Sequence, residues 1–295
     1  MKIVVTGSTG QVGRELCQVL PALGEVVAWD RTQADLESPA AVVARLAHER
    51  PAVIINAAAY TAVDKAEQEP ERAMLINATA VAAIAAEAHR QNAILVHYST
   101  DYVFDGEAHG RYRETDSTGP LSVYGTSKLA GEQAIAQSGC RAYVFRTSWV
   151  YATHGSNFLR TMLRLAAERD ELAVVADQHG APTSAGLIAR ITADVLSRCA
   201  PTPPIPFGLY HLVPSGETTW HGYASFLLDA ARTAGMPVRV DPGRIKPLTT
   251  AEYPTAARRP ANSRLCTEKL EAALARKLPR WEDAVHAAVS ELAGR

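Results

Sequence analysis

The sequence predicts a doubly wound α/β fold, a parallel sheet covered by helices on both faces, with a smaller C-terminal α/β lobe. Three observations carry this prediction. Near-continuous apolar runs of strand length alternate with amphipathic helical stretches as far as Trp149, the pattern of strands buried on both faces. The first run, beginning at Lys2, passes straight into glycines at positions 7, 10 and 13. After Trp149 the alternation loosens, and at 295 residues the chain lies near the size at which one core begins to split into two.

Taken in order, Lys2–Thr6 reads as a buried strand. Val12, Leu16, Val19, Leu20 and Leu23 recur at helical spacing up to a stop at Gly24, and Glu25–Trp29 resumes a strand. Ser38 and Pro39 have the chemistry of an N-cap and first helical position for a helix to Arg50, followed by a strand over 51–56. Pro70 opens an alanine-rich helix to about Arg90, then come a strand over 93–99, a helix through Ser127 to Gln137 and a strand over 141–146. Beyond these, helices are expected over 157–169, 184–198, 220–234 and 281–292, with strands over 172–176 and 208–213. The prolines between 201 and 206 mark a connection.

The balance of 30 basic against 31 acidic residues, with no block of Lys or Arg, argues against nucleic acid as a partner. Met1 leads into the first strand without a basic or long apolar leader, and no apolar run is long enough to span a bilayer. A cytoplasmic protein with no membrane partner is therefore expected. Cys17, Cys140, Cys199 and Cys266 form no C-x-x-C pair and are expected to be reduced.

The glycine spacing G-x-x-G-x-x-G between a strand and a helix suits a dinucleotide diphosphate, which must approach bare backbone and the positive helix end. It also suits a turn that needs glycine only for packing. Asp30 ends the second strand, where a carboxylate accepts ribose hydroxyls and favours NAD. Arg31 can instead hold a 2′-phosphate and favours NADP. Asp35 and Leu36 are candidates for the adenine side, and Ala57, Ala58 and Ala59 would let a nicotinamide ribose lie against backbone. Residues 1–150 thus read as a dinucleotide-binding domain, and 151–295 mainly as a substrate lobe from which about 184–213 return to the sheet. The loops at 150–185 and 245–265 have compositions suited to a cleft wall.

Tyr124 and Lys128 stand four residues apart, on one face of a helix. A tyrosine titrates at roughly 10, and a cation about 4 Å away stabilises the phenolate by up to ~4 kcal/mol, enough to bring it into working range. The same spacing also occurs on solvated helix faces. Thr100, at the carboxyl end of the fourth strand, could polarise a carbonyl while Tyr124 delivers a proton, or could close a local turn.

These features together resemble the extended short-chain dehydrogenase/reductase superfamily, Rossmann-like in fold, and within it the family of dTDP-4-dehydrorhamnose reductases. The resemblance rests on segments spread along the chain. They include Val5-Thr-Gly-Ser-Thr-Gly-Gln-Val-Gly13, Thr61-Ala-Val-Asp-Lys-Ala-Glu67, Tyr98-Ser-Thr-Asp-Tyr-Val-Phe-Asp-Gly106, Tyr124-Gly-Thr-Ser-Lys128, Trp149-Val-Tyr151, Asp177-Gln-His-Gly-Ala-Pro-Thr183 and Arg258-Arg-Pro-Ala-Asn-Ser-Arg264. It implies reduction of the C4 keto group of a dTDP-linked 4-keto-6-deoxy sugar, dTDP-6-deoxy-L-lyxo-4-hexulose, to dTDP-L-rhamnose by NADPH or NADH. Tyr124 would be the proton donor, Lys128 would hold the nicotinamide ribose and tune Tyr124, and Thr100 would orient the carbonyl. Gly7, Gly10, Gln11, Val12 and Gly13 would hold the diphosphate. Val63, Tyr102 and Trp149 would line the sugar pocket, and Asn157 and Arg259 would contact phosphate or nucleotide. The resemblance permits Mg²⁺ between Glu15 and carboxylates of a neighbouring subunit, although Glu15 reads more readily as a solvated carboxylate near a helix N-terminus, and it permits either a monomer or a homodimer. It leaves as rivals a sugar-nucleotide epimerase or dehydratase that retains its cofactor, and a non-catalytic NADP-binding regulatory subunit.

Overall fold

A computed structural model describes residues 1–198 and 205–294. Cys199 and the prolines at 201, 203 and 204 lie outside the described residues; Cys17, Cys140 and Cys266 are free thiols. Among the described residues no helix is long and apolar enough to cross a membrane.

The strands β1 (Lys2–Thr6), β2 (Glu25–Trp29), β3 (Val53–Asn56), β4 (Ile94–Thr100), β5 (Arg141–Thr147) and β6 (Gly208–His211) form one six-stranded sheet in the order β2-β1-β3-β4-β5-β6. Every pairing is parallel. Alternate residues of β1 enter opposite cores: Ile3 and Val5 pack with Leu16, Ile188 and Leu196, whereas Val4 packs with Val42, Ile84 and Val144. Each fully buried Leu or Ile of these layers contributes about 1.5–3 kcal/mol relative to exposure. The sequence runs outward from β1 to β2 and then crosses to β3, so the order reverses at β1 and β3, where open sheets of this kind bind ligands. Thr6 is level with Asn56, and Asn56 with His97, but β4 runs on through Tyr98, Ser99 and Thr100. Thr100 therefore stands beyond the rim on which the glycine loop sits.

The expected elements are present, with local departures. The first helix stops at Val19 and continues as a 3₁₀ turn over Leu20–Ala22, where Pro21 lacks the N–H that an α-helix would use. Pro39 opens the next helix as expected, but the Ser38 side chain makes no capping bond. The alanine-rich helix is interrupted by a π segment, Leu75–Thr79. There Asn77 turns inward, accepting from Tyr60 N at 2.9 Å and donating to Tyr60 O and Ser127 Oγ at 3.0 Å each. Two helices were not expected, Val63–Ala66 and Glu268–Leu274, and Leu270 and Leu274 of the second close the sheet core.

The helix Ala185–Ser197 and β6 return to the sheet, while Tyr151, Leu159, Tyr223, Leu227, Trp281 and Val285 form a separate core. That lobe carries short strand pairs, including Ala173–Val175 with Lys246–Leu248 and Val150–Tyr151 with Thr183–Ser184.

Candidate active site

The cleft begins at the glycine loop. Gly7 has φ +66, and a Cβ there would lie 2.8 Å from the Ala58 nitrogen; a Cβ on Gly13 would lie 2.1 Å from the Gly7 carbonyl oxygen. The first requirement brings the loop against Ala57–Ala58, and the second presses the helix Gln11–Val19 onto it. Gly10 caps that helix without a side chain, leaving its first amides directed outward for an anion. Gly13→Ala should weaken dinucleotide binding about tenfold or more, because overpacking of this kind costs about 1–3 kcal/mol. A fluorescence titration giving an unchanged dissociation constant would refute the close-packed loop.

A cleft of about 770 Å³ runs from this loop along the carboxyl ends of the strands. Gly7, Gly10, Gln11, Val12, Arg31, Asp35, Leu36, Ala57, Ala58 and Ala59 line it, as do Val63, Thr100, Tyr102, Tyr124, Lys128, Trp149 and Asn157. Gly13, Asp30, Glu15 and Arg259 are not on its wall. Asp30 instead closes its own turn, accepting from Thr32 N at 2.8 Å and Thr32 Oγ1 at 2.6 Å, bonds that hold its carboxyl below the usual range. Arg31 is exposed and bonds Glu37 and Asp35.

The helix Val123–Gln137 is started by Ser122, whose Oγ accepts from Gly125 N at 3.1 Å, and by Glu67, which accepts from Val123 N at 2.8 Å. A Cβ on Gly125 would lie 2.2 Å from the Tyr102 carbonyl, so glycine lets the helix carry Tyr124 up to the rim. There the Tyr124 ring meets Tyr102 edge-on, with centroids 5.5 Å apart, and Thr100 lines the same cleft. Burial pushes Tyr124 up well beyond the usual phenol range, assisted by Asp101 and Tyr102 and opposed by the Thr100 hydroxyl.

This corrects the expected Tyr124–Lys128 coupling. Lys128 is 2% exposed, and its Nζ donates to the Tyr98 carbonyl at 2.6 Å and lies 3.2 Å from His97 Nε2. The ammonium is thereby anchored to the sheet at the cleft wall, and burial lowers its pKa to about 8 despite Glu132. The phenol is thus held protonated.

The expected sugar-side residues fall into two sets. Trp149, in a left-handed conformation at φ +49, stacks on Trp220 with centroids 3.8 Å apart, and both line the cleft. Arg259 lies in an adjoining cleft of about 1330 Å³ with Arg169, Arg239 and Lys246; Phe158 and Trp220 line both spaces. Arg259 donates to Tyr102 Oη at 3.1 Å and pairs with Asp64 at 2.7 Å, tying the second space to the ring beside Tyr124. Asn157 departs from expectation. Its Nδ2 is already donated to Gln11 Oε1 at 2.8 Å and to the Ala152 and His154 carbonyls, while its Oδ1 caps the helix Phe158–Glu168. It joins the glycine loop to the lobe instead of offering a free donor to phosphate.

Sequence reasoning missed Asp101, whose carboxyl lies beneath Thr100 and is raised to about 6 by burial, and Trp220, whose partner is 71 residues away in the chain. The Ser99-Thr100-Asp101 motif was a local signal for the first; none marked the second. For a metal, Glu15 offers little: its carboxylate pairs with His154 at 3.0 Å, and the described residues contain no cluster of three metal-binding side chains.

The chain matches the family described as RmlD substrate binding domain over residues 1–293. A dTDP-4-dehydrorhamnose reductase of Escherichia coli K12 is 50% identical, with 99% of this chain and 98% of that protein covered. Among solved structures, a dTDP-4-dehydrorhamnose reductase ortholog from Clostridium acetobutylicum superposes with a TM-score of 0.90 at 36% identity, covering 99% of each chain. The Bacillus anthracis reductase, in complex with NADP, gives 0.89 at 33% identity over 98% of this chain and 99% of that one.

Proposed function

The chain belongs to the RmlD substrate binding domain family, and from that premise we propose that it reduces the C4 keto group of dTDP-4-dehydro-L-rhamnose to give dTDP-L-rhamnose, using NADPH or NADH. The observation that carries this reading is the convergence of Thr100, Tyr124 and Lys128 on one cleft with the glycine loop.

Gly7, Gly10 and Gly13 would hold the cofactor's diphosphate, and Ala57–Ala59 with Lys128 would hold its nicotinamide ribose. When bound, the cofactor supplies the hydride. The sugar carbonyl accepts hydrogen bonds from Thr100 and Tyr124, and as charge develops on its oxygen the Tyr124 proton moves to it. A raised phenol pKa suits this direction, because the group enters the step protonated. Residues 1–150 hold the dinucleotide, and residues of 151–295 hold most of the sugar nucleotide. Val63, Tyr102 and the Trp149–Trp220 stack contact the sugar, and the space at Arg259, where five basic side chains meet three acidic ones, takes the nucleotide diphosphate.

The test is stoichiometric. With the 4-keto sugar nucleotide, each reduced sugar should consume one reduced nicotinamide, followed by its absorbance. Turnover without net oxidation would make the chain an epimerase or dehydratase, and binding without turnover a regulatory subunit. Arg31→Ala should weaken NADPH binding about tenfold and leave NADH nearly unchanged, since a charge-assisted contact is worth about 1.5–3 kcal/mol and Arg31 must partly leave its acidic partners to make it. Equal losses for both cofactors, measured by titration, would remove the 2′-phosphate role.

A further inference from the structure

Behind Lys128 the sheet holds a row of buried polar side chains that the proposed proton transfer does not use. His97 lies mid-strand in β4, 1% exposed, with Asn56 beside it on β3 and Thr6 beyond on β1, at 1% and 0%. Strand register puts the three level with one another. Thr6 Oγ1 donates to Asn56 Oδ1 at 2.7 Å, Asn56 Nδ2 lies 3.2 Å from His97 Nδ1, and His97 Nε2 lies 3.2 Å from Lys128 Nζ. A histidine serving only to fill a core needs neither this alignment nor buried polar partners, whose desolvation is costly.

The row has two complete hydrogen-bond orders. With the Asn56 amide donating to Nδ1, the neutral imidazole carries its hydrogen on Nε2 and donates to an uncharged Lys128 amine. With that amide turned over, the hydrogen sits on Nδ1 and bonds Asn56 Oδ1, Asn56 Nδ2 donates to Thr6, and the Nε2 lone pair faces the Lys128 ammonium. An ammonium has no lone pair, so a charged Lys128 selects the second order. In both orders one hydrogen of Lys128 goes to the Tyr98 carbonyl and another stays available to the cleft.

We propose that His97, backed by Asn56 and Thr6, is a positioning residue for Lys128, holding its amino group at the cleft wall and matching its charge by a change of tautomer while remaining neutral itself. Burial and the neighbouring Lys128 hold His97 well below the usual histidine range, so it does not compete for the proton. The other charged groups near Lys128 are Glu132, one turn along the helix and bound to Arg146 of β5, and Asp101 on the same cleft wall. The π segment contributes the amide of Asn77, which bonds Ser127. The inference rests on the role given to Lys128 above, but its first test needs no substrate.

In full-length protein labelled with ¹⁵N in its histidine rings, long-range ¹H–¹⁵N spectra from about pH 6 to about pH 10 should show His97 neutral throughout. Its hydrogen should move from Nδ1 to Nε2 with a midpoint near 8, where Lys128 loses its proton. The pH dependence should vanish in Lys128→Met, and the signal is assigned by its loss in His97→Gln. A single tautomer at every pH, or an imidazolium, overturns the proposal even if the reductase activity stands. In kinetics, His97→Leu should lower kcat about tenfold or more through misplacement of Lys128 and move the alkaline limb of the pH profile. His97→Gln, which can present an amide near the Nε2 position, should recover part of both. A Leu variant with unaltered kcat and pH profile overturns the proposal, and if that variant does not fold, the tautomer measurement on the native chain decides.

Discussion

Tyr124→Phe is expected to lower kcat by about 10²–10⁴-fold, the range for loss of a positioned general acid, while leaving NADPH binding unaltered. The variant keeps the ring that meets Tyr102 edge-on and removes only the hydroxyl. Cofactor affinity should therefore separate from turnover, which titration and steady-state kinetics read independently. The pH profile gives a second readout. Tyr124 is raised well above the usual phenol range, so the acid stays protonated across the working range. Lys128 loses its proton near 8, and activity should decline above that pH if the nicotinamide ribose needs the ammonium. A Phe variant with near-native kcat would remove Tyr124 from the chemistry.

Glu132→Gln is expected to be the most damaging single change to stability. Arg146, 3% exposed on β5, donates from Nε and Nη2 to the two Glu132 oxygens at 2.9 and 2.6 Å, and its guanidinium lies 4.9 Å over the Phe104 ring. Glutamine keeps the shape but leaves a buried cation without its counter-charge. Breaking one side of such a pair costs about 3–5 kcal/mol, more than an exposed pair such as Arg164–Glu168 is worth. For a chain of this size the melting temperature should fall by roughly 10 °C. Loss of Glu132 also removes the carboxylate that supports the Lys128 charge, so the alkaline limb of the activity should move to lower pH. A thermal denaturation curve that coincides with the native one would show that Arg146 is neutralised elsewhere.

What could be read from the sequence was local. β1, the glycine turn and the first helix follow one another within a short stretch, and periodicity with glycine spacing suffices to place them. The return of 208–211 to the sheet was legible for the same reason, an apolar run bounded by turn residues. The Tyr124–Lys128 spacing placed both side chains in the cleft but misjudged their electrostatics, because His97 and the Tyr98 carbonyl, which anchor Lys128 to the sheet, belong to another element. The bond from Asn157 to Gln11 was not legible for a similar reason, the two being 146 residues apart. The π segment likewise depends on how Asn77 meets Tyr60 and Ser127, contacts that helical periodicity does not encode.

The central claim is that this cleft delivers hydride to C4 of the sugar while Tyr124 supplies the proton. The most direct measurement is a single turnover with NADPH deuterated at C4 of the nicotinamide, followed by NMR of the sugar nucleotide. Deuterium at C4 of the rhamnosyl product, with one NADP⁺ formed per label transferred, is the predicted result. A product whose C4 hydrogen comes from solvent, or deuterium that remains on the nucleotide cofactor, would contradict it.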